Sequence, residues 1–220
     1  MSSHVITHAA RPPQDFRWTT LTASLPRHVR IRVPDQTPVQ VLCVCTGNLC
    51  RSPVAERLLA ARLGDTVEVT SAGTFGVVGE PIAPSMASRL ARMGIDPANF
   101  AARRMVAATV RSADLILAMT REHRGEVVEL YPAAVRRSFT LLEFARLLVT
   151  IDPSSLPAGT PADRLRAAVS MAARRRHRSS TNEDVDDPFG RPDSAYQRAF
   201  DEIDRAILAI AEVINPDPFG

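Results

Sequence analysis

Lysine is missing from this 220-residue sequence, and all 27 of its basic residues are arginine. That absence excludes a nucleotide-binding Gly-x4-Gly-Lys loop. Aromatic side chains make up only 5% of the chain, and the formal net charge is +3. A surface that stacks bases or follows a phosphate backbone needs more of both, so no nucleic-acid partner is expected and the charges read as solvated surface. No apolar run reaches the length of a membrane-spanning helix, so no membrane span is expected. Cysteine is scarce too: Cys43, Cys45 and Cys50 lie close together and none follows. This excludes a disulfide scaffold and suits a reducing cytoplasm. It also disfavours zinc, because Cys-x-Cys-x4-Cys offers no fourth ligand at useful spacing. Neither a metal nor a cofactor is expected.

What is present is 45% hydrophobic, enough for one good α/β core but hardly for two full domains. Residues 39–44 read as a buried parallel strand. A helix follows from Pro53 to Gly64, with Val54, Leu58, Leu59, Ala61 and Leu63 on its apolar face. Residues 67–72 alternate as a second strand, and 84–93 read as a helix stopped by Gly94. The run 113–119 fits a buried central strand, followed by a Thr120-capped helix that ends near Leu130, before Pro132. Residues 138–142 are the candidate last strand and 143–149 a helix. At the end, 194–214 place Phe200, Ile203, Ile207, Ile210 and Ile214 on one helical face. Strands alternating with helices predict an α/β, three-layer doubly wound fold with a central four-stranded parallel sheet.

The domain is expected over 39–215, with a tail at 216–220. Residues 1–38 carry five prolines and no hydrophobic signal core, and read as an extended, partly disordered arm that Trp18 and the alternating 29–33 pin in part. The stretch 150–184 reads as an inserted, mobile segment. It contains a helix at 162–174, then a basic run from Arg174 to Arg178.

The most informative feature lies between the first strand and the first helix: Cys45-Thr46-Gly47-Asn48-Leu49-Cys50-Arg51-Ser52. A cysteine and an arginine separated by five loop residues can wrap a tetrahedral oxyanion. Loop amides and the helix N-terminus point at the anion, and Arg51 clamps two of its oxygens. Cys45 sits beneath as nucleophile, and a thiol beside a cation at a helix N-terminus ionises readily. A thiolate cannot expel an alkoxide or phenoxide unless a proton is supplied, so an acid must lie elsewhere. Asp187 is the leading candidate, because Pro188 stiffens its loop and Gly190 lets it turn. Asp186 is the neighbouring alternative.

The loop from Val44 to Pro53, the segment Ser71-Ala72-Gly73-Thr74 and the late Asp187-Pro188-Phe189-Gly190 together resemble the low-molecular-weight protein tyrosine phosphatase family. The resemblance covers roughly residues 39–214. It implies metal-free phosphomonoester hydrolysis through a phosphocysteine on Cys45, with Arg51 holding the phosphoryl oxygens and Asp187 as acid and then base. Thr46, Gly47, Asn48, Leu49, Cys50 and Ser52 would line or support the phosphate loop. Asn48 would hold an awkward backbone conformation, and Ser52 would donate to the sulfur. Phe75 and Phe189 would wall a cleft for a phenyl phosphate. Cys50 is the candidate partner of a protective disulfide with Cys45, whereas Cys43 reads as inert core. The implied partner is a phosphotyrosine protein, with a bacterial tyrosine kinase as a candidate. The pattern carries no oligomeric signal. Two alternatives remain: arsenate reduction, disfavoured because no relay cysteines lie downstream, and a non-catalytic phosphate-binding regulator.

Overall fold

The computed structural model describes residues 37–176 and 182–215. The expected arm up to residue 36, residues 177–181 of the insertion and the tail 216–220 lie outside them. Four strands, β1 (Val39–Cys45), β2 (Val67–Gly73), β3 (Leu115–Ala118) and β4 (Ser138–Thr140), form an all-parallel sheet in the order β2-β1-β3-β4. The described α-helices are α1 (Arg51–Leu63), α2 (Pro84–Arg92), α3 (Ala107–Ser112), α4 (Arg121–Leu130), α5 (Leu141–Leu148), α6 (Pro161–Arg175) and α7 (Asp193–Ile214).

The apolar run of β1 is buried on both faces, and its alternation sorts two cores. Val39, Val41, Cys43 and Cys45 join Leu58, Leu147, Leu165, Ile203 and Ile207 from α1, α5, α6 and α7 on one side. Leu42 and Val44 face the other side with Val110 of α3 and Val127 of α4. Helices therefore cover both faces, and β1 ends at the switch point where the chain crosses to either side, a usual place for ligands in open α/β sheets.

Local signals explain most boundaries. Gly64 takes a left-handed φ of +69° and ends α1. The Thr120 hydroxyl accepts from the His123 amide to start α4. Thr140 and Glu143 form a reciprocal capping box for α5. That box explains one difference from expectation, since the strand expected to reach Leu142 stops at Thr140 where the helix begins. The strand expected at 113–119 is likewise shorter. The first helix opens at Arg51 rather than Pro53, so Pro53 occupies a first-turn position that needs no amide donor. Helix α3 and two 3-10 turns, Pro132–Arg137 and Pro153–Ser155, carry no periodic signal long enough to read.

The stretch read as a mobile insertion differs most. Its helix α6 buries Ala162, Leu165, Ala168 and Ala172 in the main core, a stripe spaced by three or four residues. Nor is the basic run simply solvated. The Arg176 guanidinium lies 4.1 Å from the centroid of the Phe139 ring and pairs with Glu143 at 2.9 Å, while Arg175 donates to the Thr150 carbonyl.

Candidate active site

The loop from Cys45 to Arg51 has to turn within a few residues from the end of β1 into the start of α1. Its carbonyls show which way its peptides face. Cys45 O accepts from Thr74 N, Thr46 O from Phe75 N, Gly47 O from Val77 N and Leu49 O from Ala83 N, at 2.9–3.1 Å. All peptide bonds in the described chain are trans, so each carbonyl turned outward leaves the next N–H turned inward. The amides of Thr46, Gly47, Asn48 and Cys50 thus converge on the bowl. The wall behind them needs a glycine. A Cβ on Gly73 would run into the Thr46 carbonyl and stand only 2.8 Å from Gly76 Cα and 2.9 Å from Asn48 N.

Asn48 sits at φ +58°, a left-handed conformation that asparagine tolerates better than most residues. Its buried side chain fixes it there: Oδ1 accepts from Arg103 N at 2.8 Å, and Nδ2 donates to Ser52 Oγ at 2.9 Å and Ser71 Oγ at 2.8 Å. Proton accounting then settles the rest. Ser71 passes its own hydrogen to Glu56 at 2.6 Å. Ser52 Oγ, already an acceptor from Asn48, lies 3.0 Å from Cys45 Sγ and keeps its own hydrogen to give. A thiolate at Cys45 has no proton of its own, so in that state it is the acceptor of this bond.

Arg51 is 3% exposed. Its Nη1 donates to the Val185 carbonyl at 3.1 Å, and its Nη2 lies 2.6 Å from Asp187 Oδ2 and 3.5 Å from Thr46 Oγ1. Its buried Nε has no hydrogen-bond partner among the described residues. Asp187 Oδ1 accepts from Phe189 N at 3.1 Å. The segment before it is tied down: Val185 N donates to Met119 O, Arg121 N donates to Asp184 Oδ1, and Glu183 pairs with Arg121 and Arg146.

Together these elements enclose a cleft of about 230 Å³ that brings Cys45, Thr46, Gly47, Leu49, Cys50 and Arg51 against Asp187, Phe75 and Phe189. Asn48 and Ser52 stand behind the loop as braces. Asp186 lines a separate cavity on the far side of the acid loop. The three cysteines are free. Burial, aided by the charges of Cys45 and Asp187, pushes the Cys50 thiol up to about 12, so it stays protonated. Burial also holds Cys43 well above the usual thiol range. Among the described residues no cluster of His, Cys, Asp and Glu is arranged to hold a metal. Sequence reasoning missed Ser71, Glu56, Val77 and the buried His123, whose ring lies 2.9 Å from Thr46 Oγ1. Only the Thr-x-x-His spacing at the start of α4 hinted at the last.

A sequence model for "Low molecular weight phosphotyrosine protein phosphatase" matches residues 40–153. Over 180 residues, 82% of this chain and 99% of the relative, the sequence is 31% identical to a protein-arginine-phosphatase of Geobacillus stearothermophilus. A shorter stretch, 42% of this chain and 62% of the relative, is 45% identical to the low molecular weight protein-tyrosine-phosphatase Etp of Escherichia coli K12. The solved YwlE arginine phosphatase from G. stearothermophilus superposes with a TM-score of 0.62 at 30% identity, covering 82% of this chain and 95% of that one. The chain belongs to the low-molecular-weight phosphotyrosine protein phosphatase family.

Proposed function

We propose that this phosphatase hydrolyses phosphotyrosine in proteins, with Cys45, Arg51 and Asp187 as its catalytic residues. The observation that carries the reading is the convergence of a hydrogen-bonded sulfur, four inward amides and a buried guanidinium on one bowl facing a carboxylate. The Cys45 thiolate attacks phosphorus, the bond to the tyrosine oxygen breaks, and Asp187 gives that oxygen its proton. Asp187 then takes a proton from water, which attacks phosphorus and releases phosphate and the thiolate. Arg51 and the loop amides hold the equatorial oxygens, where charge is spread in the transition state. A phosphate that takes the Arg51 fork displaces the Asp187 carboxylate towards the leaving group.

The rim supports an aryl leaving group. Leu49, Phe75, Val77 and Phe189 line it, and Phe75 and Phe189 are 67% and 64% exposed. A phenyl ring fills such apolar walls with no polar group left to satisfy, whereas a guanidinium, which stacks on them as well, also brings N–H donors for which Asp187 is the one carboxylate in the lining. The competing substrate is phosphoarginine, favoured by the likeness to protein-arginine-phosphatases over most of the chain. A natural substrate of the bacterial tyrosine kinase class fits the phosphotyrosine reading. Residues 39–215 form the phosphatase domain, with 1–38 and 216–220 as extensions. A cytoplasmic site is supported by three buried free thiols, and no described helix is long and apolar enough to cross a membrane.

The test measures phosphate release from matched phosphotyrosine, phosphoserine and phosphoarginine peptides with chelator present. The expected result is tyrosine-selective turnover that is absent in Cys45→Ser and strongly reduced in Asp187→Ala. Faster cleavage of phosphoarginine would replace the substrate. Full activity in Asp187→Ala would remove the proposed acid.

A further inference from the structure

His123 is 4% exposed, yet both of its ring nitrogens have hydroxyl partners. Nδ1 lies 2.8 Å from Thr120 Oγ1, and Nε2 lies 2.9 Å from Thr46 Oγ1. Thr120 is the N-cap of α4 and its oxygen already accepts from the His123 amide at 3.2 Å. Thr46 is the residue after the proposed nucleophile and lines the phosphate cleft. A helix cap is thereby joined to the bowl by a single imidazole.

Two arrangements of hydrogens are open to a neutral ring. In the first, Thr120 donates to Nδ1 and Nε2–H donates to Thr46. The Thr46 oxygen then accepts from the ring and, at 3.5 Å, from Arg51 Nη2. With both acceptor positions engaged, its own hydrogen is left for the cleft. In the second, Nδ1–H donates to Thr120, whose hydrogen then finds no acceptor among the described residues. Thr46 gives its hydrogen to Nε2 and turns lone pairs towards any anion in the bowl. The first arrangement satisfies every partner and suits an oxyanion, whereas the second leaves the part-buried Thr120 hydroxyl without a protein acceptor and turns lone pairs on the ligand.

We propose that His123 is a positioning residue: as the Nε2–H tautomer it holds the Thr46 hydroxyl as a donor to the phosphoryl group. The bowl then has a side-chain donor beside its amides and Arg51. The charges facing the ring are Arg51, from α1, and Asp184 and Asp187, from the acid loop. Burial and Arg51 hold the imidazole neutral, with its pKa down at about 4. A neutral ring is needed here, because Nδ1 must stay an acceptor for Thr120. The proposal rests on the bowl being the phosphate site.

Its test needs no choice between phosphotyrosine and phosphoarginine. Long-range proton–nitrogen correlation on the full chain at pH 7, with inorganic phosphate as the probe and His123→Gln to assign the signal, should show a neutral ring protonated at Nε2. Protonation at Nδ1, or a charged ring, would overturn the proposal. In parallel, the inhibition constant of phosphate is measured for Thr46→Val, His123→Leu and the double variant. Each single change should weaken phosphate by about tenfold, the size of one hydrogen bond to a charged acceptor, and the double change no further. Thr46→Ser and His123→Gln, whose amide can donate in place of Nε2–H, should stay within about threefold. Additive losses, or unaltered phosphate inhibition in Thr46→Val, would overturn it even if His123→Leu failed to fold. Failure of the phosphate site itself is separate: phosphate would then not inhibit the wild-type protein.

Discussion

The two loops that build the cleft are held in opposite ways. Cys45, Asn48, Arg51 and Ser52 of the phosphate loop are all buried, and four of the loop's carbonyls are bonded to the segment 74–83. The acid loop is fastened at its root by Glu183, Asp184 and Val185, but at its tip Asp187 is half-exposed and Phe189 stands mostly in solvent. On the proposed mechanism, the half that would receive transition-state charge is fixed before substrate arrives, which is where rigidity pays. The half proposed to move a proton would have to follow a leaving group, and only its base is fixed.

The comparison predicts effects of very different size. Cys45→Ser should lower kcat by at least about 10⁴-fold for every substrate and abolish the phosphocysteine seen by mass spectrometry after acid quench. Asp187→Asn should cost about 10²–10⁴-fold on a poor leaving group and much less on an aryl phosphate whose phenolate needs no proton. Equal losses on both substrates would break the division of labour between the loops. Asn48→Ala strands the Arg103 amide and frees Ser52, so stability should drop by about 3 kcal/mol, with Tm lower by roughly 6–12 °C in calorimetry. His123 borders both loops. Its folded pKa, near 4, lies below the ordinary value of 6.5, so the unfolded chain binds the extra proton between those values. Stability should therefore fall as pH drops through that window, by at most about 1.4 kcal/mol per unit, and His123→Gln should flatten the curve. Glu183→Gln releases two part-exposed arginines. Because the carboxylate itself is buried, it should cost about 1–3 kcal/mol and lower kcat with KM unchanged, the signature of a loosened acid loop.

Much of this was legible in the sequence, because the site is compact along the chain. The Cys45–Ser52 motif, the strand before it and the helix after it are contiguous, and their periodicities are strong. Thr120 announces its helix by cap chemistry, whereas the cap at Thr140 lies inside a run apolar enough to read as strand up to Leu142. Other parts depend on residues brought together from far apart. Ser71, Glu56 and Arg103 brace Asn48 from other segments; Ser71 lies in a segment that stands out in the sequence, but its contact to Asn48 does not, and nothing local marks Glu56 or Arg103. His123 is identified only once β3 sets the start of α4 beside the loop. Helix α6 was visible as a helix, but its place in the core rests on a stripe of alanines, which reads as weakly apolar until α7 is laid against it. Charge misled in the same region, since Arg176 lies against Phe139 and Glu143.

Gly73 carries a consequence for how this protein can diverge. Any larger residue there would push against the Thr46 carbonyl and the Asn48 amide, so the wall behind the proposed phosphate loop has no room for a side chain at this position. Leu49, Phe75 and Phe189 stand at the lip, and two of them are open to solvent. Drift can therefore alter which phosphorylated side chain is admitted while the cutting machinery underneath stays as it is.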